Sequence, residues 1–468
     1  LRRWVVLASL HRLFFTLREF TMFRTDRRSF LGVTAATAGS LLWPHVAHAE
    51  EYSEEDSEEV HTAEDKAADD KAAQKLKLGV IGVGWYGMVD AQAALKVGGV
   101  EIAAICDVDR DHLERGAAEL EKLQGHRPQT FSGYEELLDL EGLDAVIIGT
   151  PPQWHALQLL AALARGKDVY CEKPLAYDIR EGQAMVAAVE KSDRVVQVGF
   201  QRRQSRAFQE AIDFARSGAL GKLVQVDAQI HYQAGLEDAT PQEPPASLDW
   251  NLWCGPGPLI PYSPQVGHKS WRLEQTSGHG HLVDWGIHLI DTIRCRLELG
   301  MPKKVTAAGG LYEYAGRITT PDTLSVHFEF PGVPVHWRHR LWGATEVDPT
   351  LSNGIFLYGT EGTIFATDTS WSVLRPRKDP ERHMVEADMG TLHMADFLNS
   401  VRTRQQPQCT ARSAFESTAT VQLAMIAYET DSVVQWDAAQ LNVVNNPAAQ
   451  KLLMRPYRAP WKHPFERA

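Results

Sequence analysis

The segment Gly82-Val83-Gly84-Trp85-Tyr86-Gly87 constrains this chain more than any other. It follows a short, mostly apolar run from Lys75 to Ile81 and opens a helical stretch from Met88 to Val97. Strand, glycine turn and helix in that order make a dinucleotide-binding crossover. Gly82 allows the tight turn, Gly84 lets the backbone approach a pyrophosphate, and Gly87 lets the helix pack close to the strand. The unpaired N–H groups at the helix start then face the phosphates. A second strand, Glu101 to Cys106, ends at Asp107, twenty residues after Gly87. A carboxylate at that place accepts a ribose 2′-hydroxyl, which favours NAD. Arg110, three residues on, could hold a 2′-phosphate and leaves NADP open.

The alternation continues, with helices expected at 109–123, 154–165 and 178–191 and strands at 144–148, 168–171 and 195–198. Such a βαβ series implies a parallel sheet covered on both faces. Ligands of these sheets sit beyond the carboxyl ends of the strands. Gly149-Thr150-Pro151-Pro152-Gln153-Trp154-His155 and Glu172-Lys173-Pro174 lie at two of those ends.

Together with Gly218-Ala219-Leu220-Gly221-Lys222, Asp284-Trp285-Gly286-Ile287-His288 and Gly359-Thr360-Glu361-Gly362, these motifs resemble the Gfo/Idh/MocA family of nicotinamide-dependent sugar and cyclitol oxidoreductases. The match runs in order over about residues 76–440. It implies an α/β Rossmann N-terminal domain, 75–200, and an α+β C-terminal domain, 201–440, with an open, largely antiparallel sheet that often makes oligomer contacts. A homodimer or homotetramer is the expectation. Strand-like segments at 322–330, 333–342, 354–359 and 363–367, then helices near 391–404 and 411–434, fit an α+β plan. The tail, 441–468, has no regular period and is a candidate to wrap a neighbour.

The resemblance implies that Lys173, Asp284 and His288 supply the catalytic groups. It places Gly82, Gly84, Trp85, Tyr86, Gly87, Asp107, Thr150, Pro151, His155, Glu172 and Lys173 around an NAD cofactor. Their chemistry suits the transfer. Oxidising a secondary alcohol needs a base for the hydroxyl proton, and His288 has the side chain titrating nearest neutrality. Asp284, four residues earlier on an expected helix over 281–298, shares its face and orients the imidazole or binds a substrate hydroxyl. Lys173 offers a cationic donor to a developing alkoxide. Glu172 holds that lysine or contacts the nicotinamide ribose. His279, His281, His288 and Asp284 could also be read as metal ligands, but no H-e-x-x-H spacing occurs and the surrounding glycines suit close packing, so no metal is expected.

Between Tyr232 and Ser277 the chain carries seven prolines interleaved with Trp250, Trp253 and Trp271. Such a loop before the catalytic helix serves as a substrate lid, or its tryptophans are buried staples or a subunit contact. All of these readings are open at this level.

The two ends differ from the rest. Residues 1–49 hold seven arginines against Glu19 and Asp26, with Arg27-Arg28-Ser29-Phe30-Leu31, a modest apolar run and Ala47-His48-Ala49. These features resemble a twin-arginine export signal cleaved after Ala49, with Met22 as the start. The apolar run is too short for a comfortable membrane span, so no stable insertion is expected after cleavage, and the mature protein would be periplasmic or otherwise exported. Residues 50–74 are an acidic, flexible linker. A net charge of −12 argues against a nucleic-acid partner. Of the five cysteines, which form no C-x-x-C pair, most read as buried thiols.

The leading function is hydride transfer between a secondary hydroxyl of a sugar, polyol or cyclitol and tightly bound NAD(P). Export away from the cytoplasmic coenzyme pool motivates the tight binding. A glycosidase acting by transient oxidation and elimination is the alternative, and a non-catalytic sugar or cofactor sensor is the third.

Overall fold

The computed structural model describes residues 75–467, apart from Lys269, Ala344 and Thr345. The expected export signal over 1–49 and linker over 50–74 lie outside the described residues.

The first half alternates as its sequence pattern suggests. It runs β1 (Leu76–Ile81), α1 (Tyr86–Val97), β2 (Val100–Cys106), α2 (Arg110–Gln124), β3 (Gln129–Phe131), α3 (Tyr134–Leu138), β4 (Ala145–Ile148), α4 (His155–Ala164), β5 (Asp168–Cys171), α5 (Ile179–Glu190) and β6 (Val196–Val198). Every pairing in the sheet is parallel, in the order β3-β2-β1-β4-β5-β6. The order reverses between β1 and β4, which opens the ligand crevice at their carboxyl ends. Asp109 and Asp178 cap α2 and α5 through backbone N–H groups of the first turn.

The second half is built on a ten-stranded sheet. After α6 (Arg206–Arg216) come β7 (Leu223–His231), the short α7 (Trp250–Cys254), α8 (Ile287–Arg296), β8 (Lys304–Gly310), β9 (Thr323–Glu329), β10 (Pro334–Arg340), β11 (Asn353–Gly359), β12 (Thr363–Ala366), β13 (Ser370–Leu374) and β14 (Glu381–Met384). Helices α9 (Met389–Thr403) and α10 (Ala411–Glu429), the hairpin β15 (Val434–Asp437) with β16 (Asn442–Val444), and α11 (Pro447–Lys451) complete the chain. The strand order is β14-β13-β12-β11-β7-β10-β9-β8-β15-β16. Among the described strands of this sheet only β7 and β10 pair in parallel, so the sheet is largely antiparallel.

Helix α9 returns to the first half. Its Met394, Phe397, Leu398 and Val401 share a core with Met88, Ala91 and Ala94 of α1.

One expectation changes. The helix expected over 281–298 begins as a π-turn, Leu282–Gly286, and becomes α-helical only from Ile287. The tail packs on its own chain. Arg455 binds Glu181, Arg458 donates to the carbonyls of Asn251, Gly255 and Gly257, and Trp461 meets Trp154 edge-on at 5.5 Å.

Candidate active site

The glycine turn fixes the coenzyme crevice by contact distance. Gly82 has φ +88°, and a Cβ there would lie 2.9 Å from the backbone of Gly149 and Thr150. A Cβ on Gly87 would overlap the Gly82 carbonyl at 1.9 Å, so α1 can start this close to β1 only with glycine. Asp107 closes the turn: its Oδ2 accepts from Val83 N at 2.8 Å and its Oδ1 from Asp109 N at 2.9 Å. Burial nevertheless raises its carboxyl above the usual range. A cavity of about 680 Å³ opens above, bounded by Gly82, Gly84, Trp85, Tyr86, Asp107 and Thr150 among others. That size is ample for a dinucleotide crevice, and the bare glycine backbone and helix start suit a pyrophosphate. These residues therefore fit NAD. Arg110, considered for a 2′-phosphate, turns instead to the carbonyl of Ala246.

The proline-rich loop is the roof of this cavity. Leu252, Trp253, His268, Trp271 and Arg272 line it together with Trp461 of the tail. The roof is fastened to the Rossmann edge by Asp249 N on Val108 O, Arg110 N on Ser247 O, and His268 Nε2 at 2.8 Å from Asp109 Oδ2. Trp250 and Trp253 stack at 4.5 Å and pack with Tyr262. The loop is thus both staple and cover, and what it covers is the coenzyme crevice.

His155, placed by the motif among coenzyme contacts, lies fully buried below it. Its Nδ1 is 2.8 Å from the Pro174 carbonyl and its Nε2 is 2.7 Å from the Thr150 carbonyl. The ring therefore ties together the two strand-end loops that carry Thr150 and Lys173. Burial pushes its pKa down to about 4, against the pull of the two carbonyls. Pro151 lines the cavity, and Thr150 donates from Oγ1 to Gln158.

Lys173 and Asp284 meet directly. Lys173 Nζ donates to Asp284 Oδ1 at 2.8 Å and to the Asp284 carbonyl at 2.6 Å. Arg272 Nε adds a bond to the same Oδ1 at 3.2 Å. Its guanidinium lies over Trp271 and Trp85, at 4.3 and 5.1 Å from the ring centroids. Arg272 thereby joins the coenzyme cavity to the Lys173–Asp284 pair.

His288 does not bond to Asp284 among the described residues; its Nδ1 is buried with no partner. The π-turn explains the divergence, because its wider turn swings Asp284 away from the direction four residues on in an α-helix. Gly286 permits the turn: a Cβ there would lie 2.8 Å from Trp337 and Leu282. The carboxylate is thus directed at Lys173 and Arg272 rather than at the imidazole.

The electrostatics follow. Burial raises the Asp284 carboxyl, but Lys173 and Arg272 pull it below the ordinary carboxylate range. Burial, then Lys173 and Arg202, drives His288 well below its usual value, so the imidazole is neutral. Glu172 accepts from Gln201 Nε2 at 2.6 Å and from Lys173 N at 3.2 Å. Burial lifts it to about 7, with Lys173 opposing.

His279 and His281 do not join this group. His279 Nε2 faces the Tyr177 carbonyl at 3.0 Å, and His281 lies tilted against Tyr232 and edge-on to His339.

Arg272, Gln201 and Arg202 were missed by sequence reasoning. Arg202 grips Asp368 through Nε and Nη2 at 2.6 and 2.9 Å and lies 5.4 Å from the Trp285 ring. The signal for two of them was available, since Gly199-Phe200-Gln201-Arg202 follows the carboxyl end of β6. Arg272 carries no local mark beyond its neighbour Trp271.

The comparisons agree with this fold. A family model described as "Oxidoreductase family, NAD-binding Rossmann fold" matches residues 76–200. Two C-terminal models of the same family match 208–365 and 346–463. The chain is 33% identical over 171 residues to inositol 2-dehydrogenase of Salmonella typhimurium, covering 36% of this chain and 49% of that one. It is 28% identical over 157 residues to an alpha-N-acetylgalactosaminidase of Shewanella oneidensis, covering 33% of this chain and 34% of that one. The chain thus spans half or less of the length of these curated relatives. A levoglucosan dehydrogenase solved with NADH and levoglucosan shares the fold, with TM-score 0.61 and 19% identity over 77% of this chain and 99% of that one. Matched by its models from residue 76 to residue 463, the chain belongs to the GFO/IDH/MocA oxidoreductase family.

Proposed function

We propose that this protein moves hydride between a secondary hydroxyl of a sugar, polyol or cyclitol and a tightly held NAD. The observation that carries the reading is the Lys173–Asp284 pair beside a buried, neutral His288 whose Nδ1 has no partner. Bound NAD supplies the hydride acceptor. In the oxidative direction His288 takes the hydroxyl proton, which a neutral imidazole can do. The Lys173 ammonium donates to the same substrate oxygen and stabilises its developing negative charge. Asp284 fixes the lysine and offers an acceptor to a neighbouring substrate hydroxyl. Gln201 and the Lys173 N–H hold Glu172 beneath the lysine.

The roof over the crevice supports retention of the coenzyme between turnovers. Export by the twin-arginine route to the periplasm fits such retention. Assembly as a homodimer or homotetramer through the open sheet belongs to the same proposal.

The test is to denature purified protein, identify released nicotinamide by mass, and assay the intact enzyme on sugar and glycoside panels. Reduced coenzyme accumulating with a free sugar or cyclitol supports the reading. The similarity to a galactosaminidase favours one second reading, a glycosidase acting through transient oxidation. Glycoside cleavage without net reduction would establish it. Ligand binding without turnover of either kind would leave a sensor.

A further inference from the structure

Three side chains of metal-ligand type converge where the proline-rich roof meets the start of α2: Asp109, His112 and His268. One ligand atom from each lies within 4.8 Å of the other two. Asp109 caps α2 and His112 sits in its first turn. His268 arrives with the roof, 159 residues from Asp109 in the chain.

The carboxylate is already oriented. Asp109 Oδ1 accepts from Asp111 N at 2.9 Å, and Oδ2 faces His268 Nε2 at 2.8 Å. The two imidazoles lie 4.2 Å apart between centroids, tilted by 51°. His112 is the informative member. It makes no hydrogen bond among the described residues, and its ring nitrogens are not among the buried polar atoms sealed from solvent. Both histidines are half-buried and line the coenzyme cavity. An accessible imidazole is thus held beside a carboxylate and a second imidazole while bonding to neither.

Two imidazoles and a carboxylate suit a divalent ion such as zinc, whereas magnesium and calcium prefer oxygen ligands. A tetrahedral centre with bonds of about 2.0–2.1 Å sets its ligand atoms roughly 3.3 Å apart. The Asp109–His268 contact would open slightly to admit the ion, and His112 would close by at most about 1.5 Å. Asp107 and Asp111 flank the set and favour a cation, with Arg115 opposing them. Three protein ligands leave a fourth position for water.

We infer that Asp109, His112 and His268 bind a zinc-like divalent ion that clasps the roof to the Rossmann edge over the coenzyme. The site contains none of Lys173, Asp284 and His288, and the inference does not rest on the hydride-transfer reading.

The test uses the full-length protein with NADH bound, stripped of metal by a chelator and titrated calorimetrically with ZnCl2. His112→Phe keeps a ring against His268 and removes its nitrogens, and His268→Ala removes the second imidazole. Losing even an outer partner of a metal ligand weakens binding about 10- to 100-fold, so each variant should weaken zinc by at least about tenfold. His126→Ala, an exposed histidine beside Glu101, should leave it unchanged. One zinc per chain with this pattern is the expected result, and Co2+ in its place should show the visible bands of a four-coordinate ion in wild type but not in His112→Phe. Zinc should also slow NADH release, followed by fluorescence, in wild type and not in His112→Phe. Absence of zinc binding, or binding that His112→Phe and His268→Ala leave intact, would overturn the site and leave a hydrogen-bonded latch. Zinc that binds there without slowing NADH release would overturn the clasp. None of these results depends on turnover.

Discussion

Lys173 Nζ bridges the side chain and the main chain of Asp284, at 2.8 Å from Oδ1 and 2.6 Å from the carbonyl oxygen. One ammonium therefore fixes both the aspartate and the π-turn that presents it. The pair is largely buried, with side-chain exposures of 13% and 8%. Lys173→Ala leaves Asp284 with Arg272 as its remaining cation. Breaking a buried pair from one side costs about 3–5 kcal/mol. Losing the donor to the substrate oxygen should lower kcat on the order of 10²- to 10⁴-fold. Thermal unfolding and steady-state rates measure the two effects separately. A variant with wild-type kcat would remove Lys173 from the reaction.

His288 sets the pH behaviour. Its imidazole is held neutral well below the usual value of 6.5 by burial and then by Lys173 and Arg202. The rate of oxidation should therefore show no protonation limb at pH 6.5. His288→Gln should lower kcat about 10²- to 10⁴-fold at every pH. An acid limb centred near 6.5 that disappears in His288→Gln would contradict the assignment. The linkage has a matching sign: the unfolded chain accepts a proton near 6.5 that the folded chain refuses. This contribution to stability is present above 6.5 and is lost as pH falls below it.

Glu172 has the opposite sign. Burial lifts its folded pKa from 4.5 to about 7. Its stabilising share is complete below pH 4.5 and disappears as pH rises through 7. The melting temperature of wild type minus that of Glu172→Gln should therefore fall between pH 5 and pH 8. Calorimetry across that range checks it, and a difference that is flat or rising would refute the shift.

The Rossmann half was legible, apart from β3 and α3, because β1, β2, β4, β5 and β6 are short, mostly apolar and largely buried, and because the glycine turn has a fixed chemistry; β3 is polar and exposed. β1 buries Leu78 and Val80 completely, and the run reads as a strand without knowledge of its partners. β7, β8, β13, β14 and the β15–β16 hairpin were not foreseen. Ala308, Gly309 and Gly310 of β8 have no strand preference of their own, and pairing with Leu324 and Thr323 of β9 decides their conformation. Lys173, Asp284 and His288 were found by motif, but their geometry was not. The π-turn depends on Gly286 fitting beneath Trp337, a contact between residues far apart in sequence. His155 was misplaced because its motif position is beside the coenzyme loop while its ring points down into the protein. Arg272 escaped notice because the loop that delivers it has no period.

Gly82 permits a controlled test of the crevice. Gly82→Ala combines a φ of +88° with a Cβ 2.9 Å from backbone atoms of Gly149 and Thr150. Gly125→Ala has nearly the same φ, +87°, with nothing within 4 Å. Both variants carry conformational strain of about 1 kcal/mol, and only Gly82→Ala adds a backbone collision beside the coenzyme. Gly82→Ala should raise the Kd for NAD at least tenfold, and Gly125→Ala should leave it unchanged. Equal Kd values in the two proteins would show that the turn does not shape the coenzyme site.

His268 and Asp109 test the roof. Their 2.8 Å contact fastens the proline-rich loop to the start of α2, beside the carboxylate of Asp107. A hydrogen bond to a charged group contributes about 1.5–3 kcal/mol, equivalent to roughly 10- to 100-fold in a rate that requires its rupture. If the coenzyme leaves by opening of this loop, His268→Ala should speed NAD release by that factor and leave its association rate nearly unchanged. Asp109→Asn keeps the α2 cap and should give a smaller effect, because an amide still faces the imidazole. The measurement is displacement of bound NADH followed by its fluorescence. Release as slow in His268→Ala as in wild type would mean that the crevice itself, rather than its cover, retains the coenzyme.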